Sequence, residues 1–193
     1  MDGLGALDAV LCSSNRSKAR ELERLLPGRT LEPLDRDDYP PETGATYYEN
    51  AVLKARFGRD VAAVDRWVLA EDSGLEVDAL DGRPGVLSAR YAPEGAPAIA
   101  KLLAELAGVE DRGARYVSEL VLLDPNGREL RGTGVLAGRI ADEPSGSEGF
   151  GYDPIFIPEG EERTVAELGN DWKAANSHRA RAARALLAAL ENG

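Results

Sequence analysis

The chain carries one cysteine, Cys12, and one histidine, His178, in 193 residues. A lone thiol excludes an intrachain disulfide and a cysteine-based zinc site, and a lone imidazole excludes a multi-histidine metal centre. Any resident metal must then be held mainly by oxygen, which favours Mg2+ or Mn2+ over zinc. Cys12 closes an apolar run from Ala9 and reads as core filler. There is no run dense in Lys and Arg, and the formal net charge is -11. Such a chain repels a nucleic-acid backbone and lacks the basic stripe that binds one, so no nucleic-acid polymer is expected as partner. A local set of cations and backbone N–H groups still suffices for a small phosphorylated ligand. No stretch approaches the ~20 apolar residues of a membrane span, and the start MDGLGALD has no basic or long apolar segment. No membrane partner is expected, and the setting is expected to be cytoplasmic and reducing.

What is present is a globular balance, 43% apolar and 30% charged, in a length that suits one domain. Leu7 to Cys12 reads as a first strand. The polar loop Ser13-Ser14-Asn15-Arg16 follows, then KARELERLL, with Ala19, Leu22, Leu25 and Leu26 at helical spacing. Residues 29–44, with Pro33, Pro40, Pro41 and Gly44, read as irregular. Thr46 and Glu49 form a capping-box signature for a helix running through Ala51, Lys54 and Ala55 to about Val64. Trp67 to Ala70 reads as a strand with Glu71 and Asp72 at its tip. A helix is expected over about Ala96 to Ala107. Tyr116 to Leu123 and Leu130 to Ile140 read as a hairpin about Asp124-Pro125-Asn126-Gly127. Pro154 to Ile157 reads as a short strand, and about Asn176 to Leu190 as a closing helix. Alternating elements followed by a hairpin predict an α/β fold: a mixed sheet with helices on its faces.

Five stretches carry candidate chemistry. Open α/β sheets bind ligands beyond the carboxyl ends of their strands, so Glu71 and Asp72 suit a hard cation there; they read equally as a polar turn. Glu42 and Glu49 bracket the start of the second helix and could join such a metal site. Glu49 also reads as a cap, and Glu42 as a solvated loop acid. Ser13 to Lys18 offers hydroxyls, an amide, N–H groups and a cation, enough for a polyphosphate, but not the Walker pattern. The same residues make an ordinary helix cap. In GFGYDPIF, residues 149–156, two glycines flank Phe150. Its aromatic rings could stack a base or simply fill a Gly-rich turn. Finally, Lys173, Ser177, His178 and Arg179 gather donors before or at a helix start, where the dipole disfavours cations. A basic group so placed invites a ligand, though it also reads as a surface helix N-terminus.

Taken together, SSNRSK, ETGATYYENAVLKAR, AEDSGLEVDAL, GRPGVLSARYA, GFGYDPIF and TVAELGNDWKAANSHRA resemble the inosine triphosphatase family, over Ser13 to Leu186. Members of that family are house-cleaning pyrophosphatases that act on dITP, ITP and XTP. The resemblance implies an elongated mixed sheet flanked by helices, in one domain of two lobes around a central substrate cleft. It implies a Mg2+ cofactor, a nucleoside triphosphate substrate and a homodimer. By position, Ser13, Ser14, Asn15, Arg16, Ser17 and Lys18 match the triphosphate loop. Asp72 matches the acid that binds metal and activates water, and Ser73 a substrate contact. Phe150, Gly151, Tyr152 and Asp153 match the nucleoside segment, and Lys173, His178 and Arg179 the purine pocket. Glu42 is implied as a further metal ligand, with Glu49 as the alternative. Two departures stand out: Glu71 replaces the usual bacterial Asp, and Ser13-Ser14 replaces a Thr-Gly-like pair. Two other readings compete. A Maf-like pyrophosphatase acting on modified pyrimidines would differ in base choice, and a nucleotide binder without turnover would have little use for Asp72.

Overall fold

The structure is a computed structural model, and it describes residues 8–13 and 15–192. In chain order the elements are β1 (Asp8–Cys12), α1 (Arg16–Leu25), β2 (Thr30–Pro33), α2 (Tyr47–Val61), β3 (Trp67–Val77), α3 (Ala96–Glu105), β4 (Gly113–Leu123), β5 (Glu129–Ile140), β6 (Phe156–Pro158), α4 (Val165–Asn176) and α5 (His178–Glu191). The six strands form one sheet, in the order β2-β1-β3-β4-β5-β6. β1 pairs in parallel with β2 and with β3, while β6 runs antiparallel to β5. The fold is therefore the expected α/β architecture with a mixed sheet.

Several boundaries differ from the sequence reading. β3 does not stop at Ala70 but runs through both acids to Val77. β2 lies in the segment read as irregular; its Pro33 ends a short edge strand, where a missing N–H costs no ladder bond. α2 ends at Val61. The closing helix is present as α5, starting at His178, and the helix before it, α4, which ends at Asn176, was not expected. Leu7 lies outside the described residues.

The chain divides into two compact units. The first comprises Met1–Asp72, Ser118–Gly134 and Arg179–Gly193; the second comprises Ser73–Val117 and Val135–His178. In the first unit, strand alternation sorts the core into two faces. Ala9, Leu11, Leu69, Leu120 and Leu122 point to one side, where they meet Ala19 and Leu22 of α1 and Ala182, Ala183 and Leu186 of α5. Val10, Cys12, Val68, Ala70, Val121 and Leu123 point to the other, against Ala51 and Ala55 of α2. The chain leaves β1 for β2 on one side and returns to β3 on the other. That reversal is the topological switch point, where an open α/β sheet parts beyond its carboxyl ends and admits a ligand. Cys12 pairs with Ala70 there, so the loop after β1 and the acids after Ala70 leave the pairing together.

The second unit packs Leu75, Val77, Tyr116, Leu136, Ile140 and Phe156 of the strands against Ile99 and Leu102 of α3 and Val165 of α4. Tyr152 belongs to this core, and its hydroxyl donates to Ser88 O at 3.3 Å. Burial pushes its phenol up to about 12.

α2 lies close on the sheet because residue 58 is glycine: a Cβ there would run into Cys12 Sγ and stand 2.8 Å from Val68 Cγ1. Gly58→Ala should destabilise the protein by about 1–3 kcal/mol through overpacking, despite the better helix propensity of alanine. Adding Cys12→Ala should recover part of that loss in urea unfolding. A stabilised single variant would contradict the close-approach account.

Candidate active site

Glu71 and Asp72 are neighbours in mid-strand, so their side chains leave β3 on opposite faces. Glu71 shares the face of Leu69, toward α1 and α5. Its Oε1 accepts from Arg179 Nε at 3.1 Å, Arg179 Nη2 at 3.0 Å and Ser118 Oγ at 3.1 Å. Its Oε2 lies 3.0 Å from Lys18 Nζ. Arg179 Nη1 donates onward to Glu21 Oε2 at 2.7 Å. The Glu71 side chain is fully buried and that of Arg179 is 2% exposed. This is an interior ion cluster that ties β3 to α1, β4 and α5.

Asp72 shares the face of Ala70, toward α2. Its Oδ2 accepts from Asn50 Nδ2 at 3.1 Å and its Oδ1 from Lys54 Nζ at 3.1 Å. Lys54 Nζ also donates to Glu42 Oε1 at 2.7 Å. Lys18 reaches this side too, 3.9 Å from Asp72 Oδ1. Burial raises the Asp72 carboxyl above its ordinary 3.8; Lys54 and Lys18 pull it back, and Glu71 and Glu42 push with burial. For Lys54, burial works against the charge, but Asp72 and Glu42 more than offset it, and the ammonium is held above its ordinary 10.5. The linkage signs follow. A raised Asp72 stabilises the fold most below pH 3.8 and loses that contribution as pH rises through its folded value. Lys54 contributes at all lower pH and loses it only in strong alkali.

The loop before α1 is built as a cap. Asn15 Oδ1 accepts from Ser17 N at 3.0 Å and Lys18 N at 3.1 Å, and Ser13 Oγ accepts from Asn15 N at 3.2 Å. Arg16 is exposed at the first position of α1, and Ser17 is half-buried. No acid stands in the first turn, so the positive end of the helix is left for another anion. Ser14 lies outside the described residues. Glu49 is spent on the capping box: its Oε2 accepts from Ala45 N at 2.6 Å and Thr46 N at 3.1 Å. Glu42, by contrast, shares Lys54 with Asp72.

The second unit brings together a separate group. Asp153 is buried and accepts from Lys173 Nζ at 2.7 Å, Phe150 N at 2.8 Å and Tyr116 Oη at 3.3 Å. Lys173 Nζ stands 4.1 Å from the centre of the half-buried Phe150 ring. His178 is buried and stacks on Tyr116 at 4.6 Å between centroids. Lys173 sits in the last turn of α4, where the dipole favours a cation, rather than before a helix start. Gly151 and Ser73 are half-buried, and Tyr152 faces the core. Arg179 lies in the first unit with Glu71.

The family model described as the Ham1 family matches residues 9–189. The chain belongs to the Ham1 family. It is 43% identical over 195 residues to the dITP/XTP pyrophosphatase of Deinococcus deserti, covering 99% of this chain and 93% of that one. It is 46% identical to that of Nocardia farcinica, covering 94% and 93%. Its fold is similar to the Staphylococcus aureus Ham1 protein, with a TM-score of 0.83 at 37% identity, covering 96% and 98% of the chains. It is also similar to the nucleoside-triphosphatase / dITP/XTP pyrophosphatase of Mycobacterium abscessus, with a TM-score of 0.72 at 43% identity, covering 95% and 97%. The resemblance read from the six motifs is borne out.

In this Ham1-family chain, sequence reading missed Asn50, Lys54, Ser118, Glu21 and Tyr116 as neighbours of the candidate residues. A signal existed for two of them. Asn50 and Lys54 stand four apart, within the stripe of α2 that also buries Tyr47, Ala51, Ala55 and Gly58. Polar side chains in a buried stripe need partners. Glu71→Gln should cost about 3–5 kcal/mol in urea unfolding, because it leaves the Arg179 guanidinium with Glu21 as its one carboxylate partner among the bonds described and removes the buried counter-charge of Lys18. Glu71→Gln combined with Arg179→Met should cost less than the sum of the two singles. Strict additivity would contradict a shared buried cluster.

Proposed function

We propose that this chain is a Mg2+-dependent nucleoside triphosphate pyrophosphatase that converts dITP, ITP and XTP to the monophosphate and pyrophosphate, clearing non-standard purines from the nucleotide pool. The names of its relatives support the reaction class. The observation that carries the chemistry is Asp72, a buried carboxylate with a raised pKa, held by Asn50 and Lys54 at the switch point of the sheet. A homodimer in the cytoplasm is part of the proposal. The partner is a small nucleotide, and no described helix is long and apolar enough to cross a membrane.

The donor set suits the proposed metal. Among the described residues no group of three His, Cys, Asp or Glu side chains could hold an ion. Mg2+ asks for less: one or two carboxylates, with waters and substrate phosphates completing its shell. Asp72 and Glu42 already share one cation, the Lys54 ammonium, and are the residues that would hold Mg2+. Bound there, the ion would offset phosphate charge and polarise the phosphorus.

The chain's own residues do the rest. Asp72 accepts a proton from water as the water oxygen bonds to the α-phosphorus, and the α–β bridging bond breaks to release pyrophosphate. Burial makes Asp72 a better proton acceptor, while Lys54 and Lys18 keep it ionised. Lys18 and the N-terminal end of α1 receive phosphate charge. In the second unit the Phe150 face suits a base, and the Lys173 ammonium suits a purine carbonyl. Adenine presents an amino group at that position, and facing a buried donor costs about 1–3 kcal/mol or more.

With Mg2+, dITP and XTP should yield pyrophosphate far faster than dATP and dGTP, and EDTA should abolish the reaction. Orthophosphate as product, or equal rates on all four, would contradict the proposal. Asp72→Asn should lower kcat by about 10²–10⁴-fold with the fold retained. The acid limb of kcat/KM should lie above pH 3.8, the ordinary carboxyl value. Lys54→Met removes the cation that holds Asp72 down and should move that limb to higher pH. A limb that stays or moves lower would assign it to another group.

A further inference from the structure

α4 is two short helical runs. Gly169, at φ 88° and ψ 172°, leaves the helical region and interrupts it. Each run opens with N–H groups that have no acceptor inside the helix. The first run is closed by the capping box of Thr164 and Glu167. The second begins at Asn170 and carries Trp172 and Lys173. Its cap comes from another part of the chain: Glu148 Oε2 accepts from Asn170 N at 2.8 Å and Asn170 Nδ2 at 2.7 Å. A carboxylate is the favoured group at such an end.

Glu148 stands two residues before Phe150, and its own N–H donates to Ala166 O at 3.3 Å. The loop that bears Phe150 and the run that bears Lys173 are thus clasped twice, at Glu148–Asn170 and at Asp153–Lys173. One turn sets both clasps. Gly149, at φ 79°, lies between Glu148 and Phe150, and a Cβ there would run into the Asp153 carboxylate. The Asp153 ion pair holds only the tip of a flexible four-carbon stem. The Glu148 clasp fixes the backbone from which that stem grows. Glu148 is exposed, so its bonds add little to global stability, and what they set is orientation.

We propose that Glu148 is a positioning residue for base selection: by capping the run that begins at Asn170, it holds the Lys173 ammonium against the Phe150 ring. This rests on the reading of Phe150 and Lys173 as the base-selecting pair. It adds a residue that touches neither substrate nor the reacting atoms.

The test uses the full chain, with Glu148→Ala, Glu148→Gln and Lys173→Ala. Two quantities are read: the ratio of kcat/KM for dITP over dATP, and the acetylation rate of Lys173 by acetic anhydride, mapped by peptide mass. Glu148→Ala should lower the ratio by about 10-fold, mainly through KM for dITP, and raise Lys173 acetylation by a similar factor. Glu148→Gln keeps an amide oxygen that can accept both bonds, and it should match the wild type in both. Lys173 as protected in Glu148→Ala as in the wild type overturns the proposal. An unchanged base ratio in Glu148→Ala also overturns it, and Lys173→Ala then locates the fault. If that variant loses selectivity, Glu148 was misassigned; if it keeps selectivity, the reading of Lys173 itself is wrong.

Discussion

Side chains alternate along a β-strand, and that alternation sorts the partners of the two adjacent acids, Lys18 excepted. Glu71 and Asp72 cannot serve one site on one face. Glu71 is turned toward α1 and α5, where Arg179, Ser118 and Lys18 consume it. Asp72 is turned toward α2, where Asn50 and Lys54 hold it beside Glu42. One acid braces the strand, and the other is the proton acceptor of the proposed reaction. Lys18, at the start of α1, reaches both.

The same alternation explains what the sequence could and could not reveal. The apolar runs in β1 and β3, the helical spacing of Leu22 and Leu26, and the Thr46–Glu49 box are local patterns, and each element they predict is present. β2 was missed because a four-residue edge strand with two prolines nearby carries no periodic signal. β3 looked short because charged residues usually end a buried strand, yet here both acids find buried partners, some from segments distant in sequence. Arg179 lies 108 residues from Glu71, and Ser118 lies 47 away. No local pattern encodes such pairings. They emerge only when the sheet order sets β4 beside β3 and α5 over one face.

The candidate residues themselves were legible mainly through six motifs in order, not through their chemistry. Taken singly, Ser13 to Lys18 is a helix cap, and the structure shows it capping: Asn15 does so with its side chain. A cap and a phosphate cradle are one arrangement, since both expose N–H groups at a helix start. Arg179 shows the opposite limit. A residue at the start of α5 is rotated about 100° from its neighbour, and the Arg179 guanidinium donates to Glu71 and Glu21, partners that its adjacency to His178 did not suggest.

Stability and the proposed chemistry draw on opposite faces of this strand. The Glu71 cluster pairs its buried charges fully, while Asp72 keeps a carboxylate that burial would prefer neutral. The proposed role of Asp72 as proton acceptor rests on that residual tension, with Lys54 restraining it. The most direct measurement is a carboxyl 13C titration of the free wild-type protein, with Asp72→Asn used to assign the resonance. The account predicts a midpoint for Asp72 above the ordinary 3.8. A midpoint at or below that value would mean that the lysines outweigh burial, and that Asp72 is a fixed counter-ion rather than a proton acceptor.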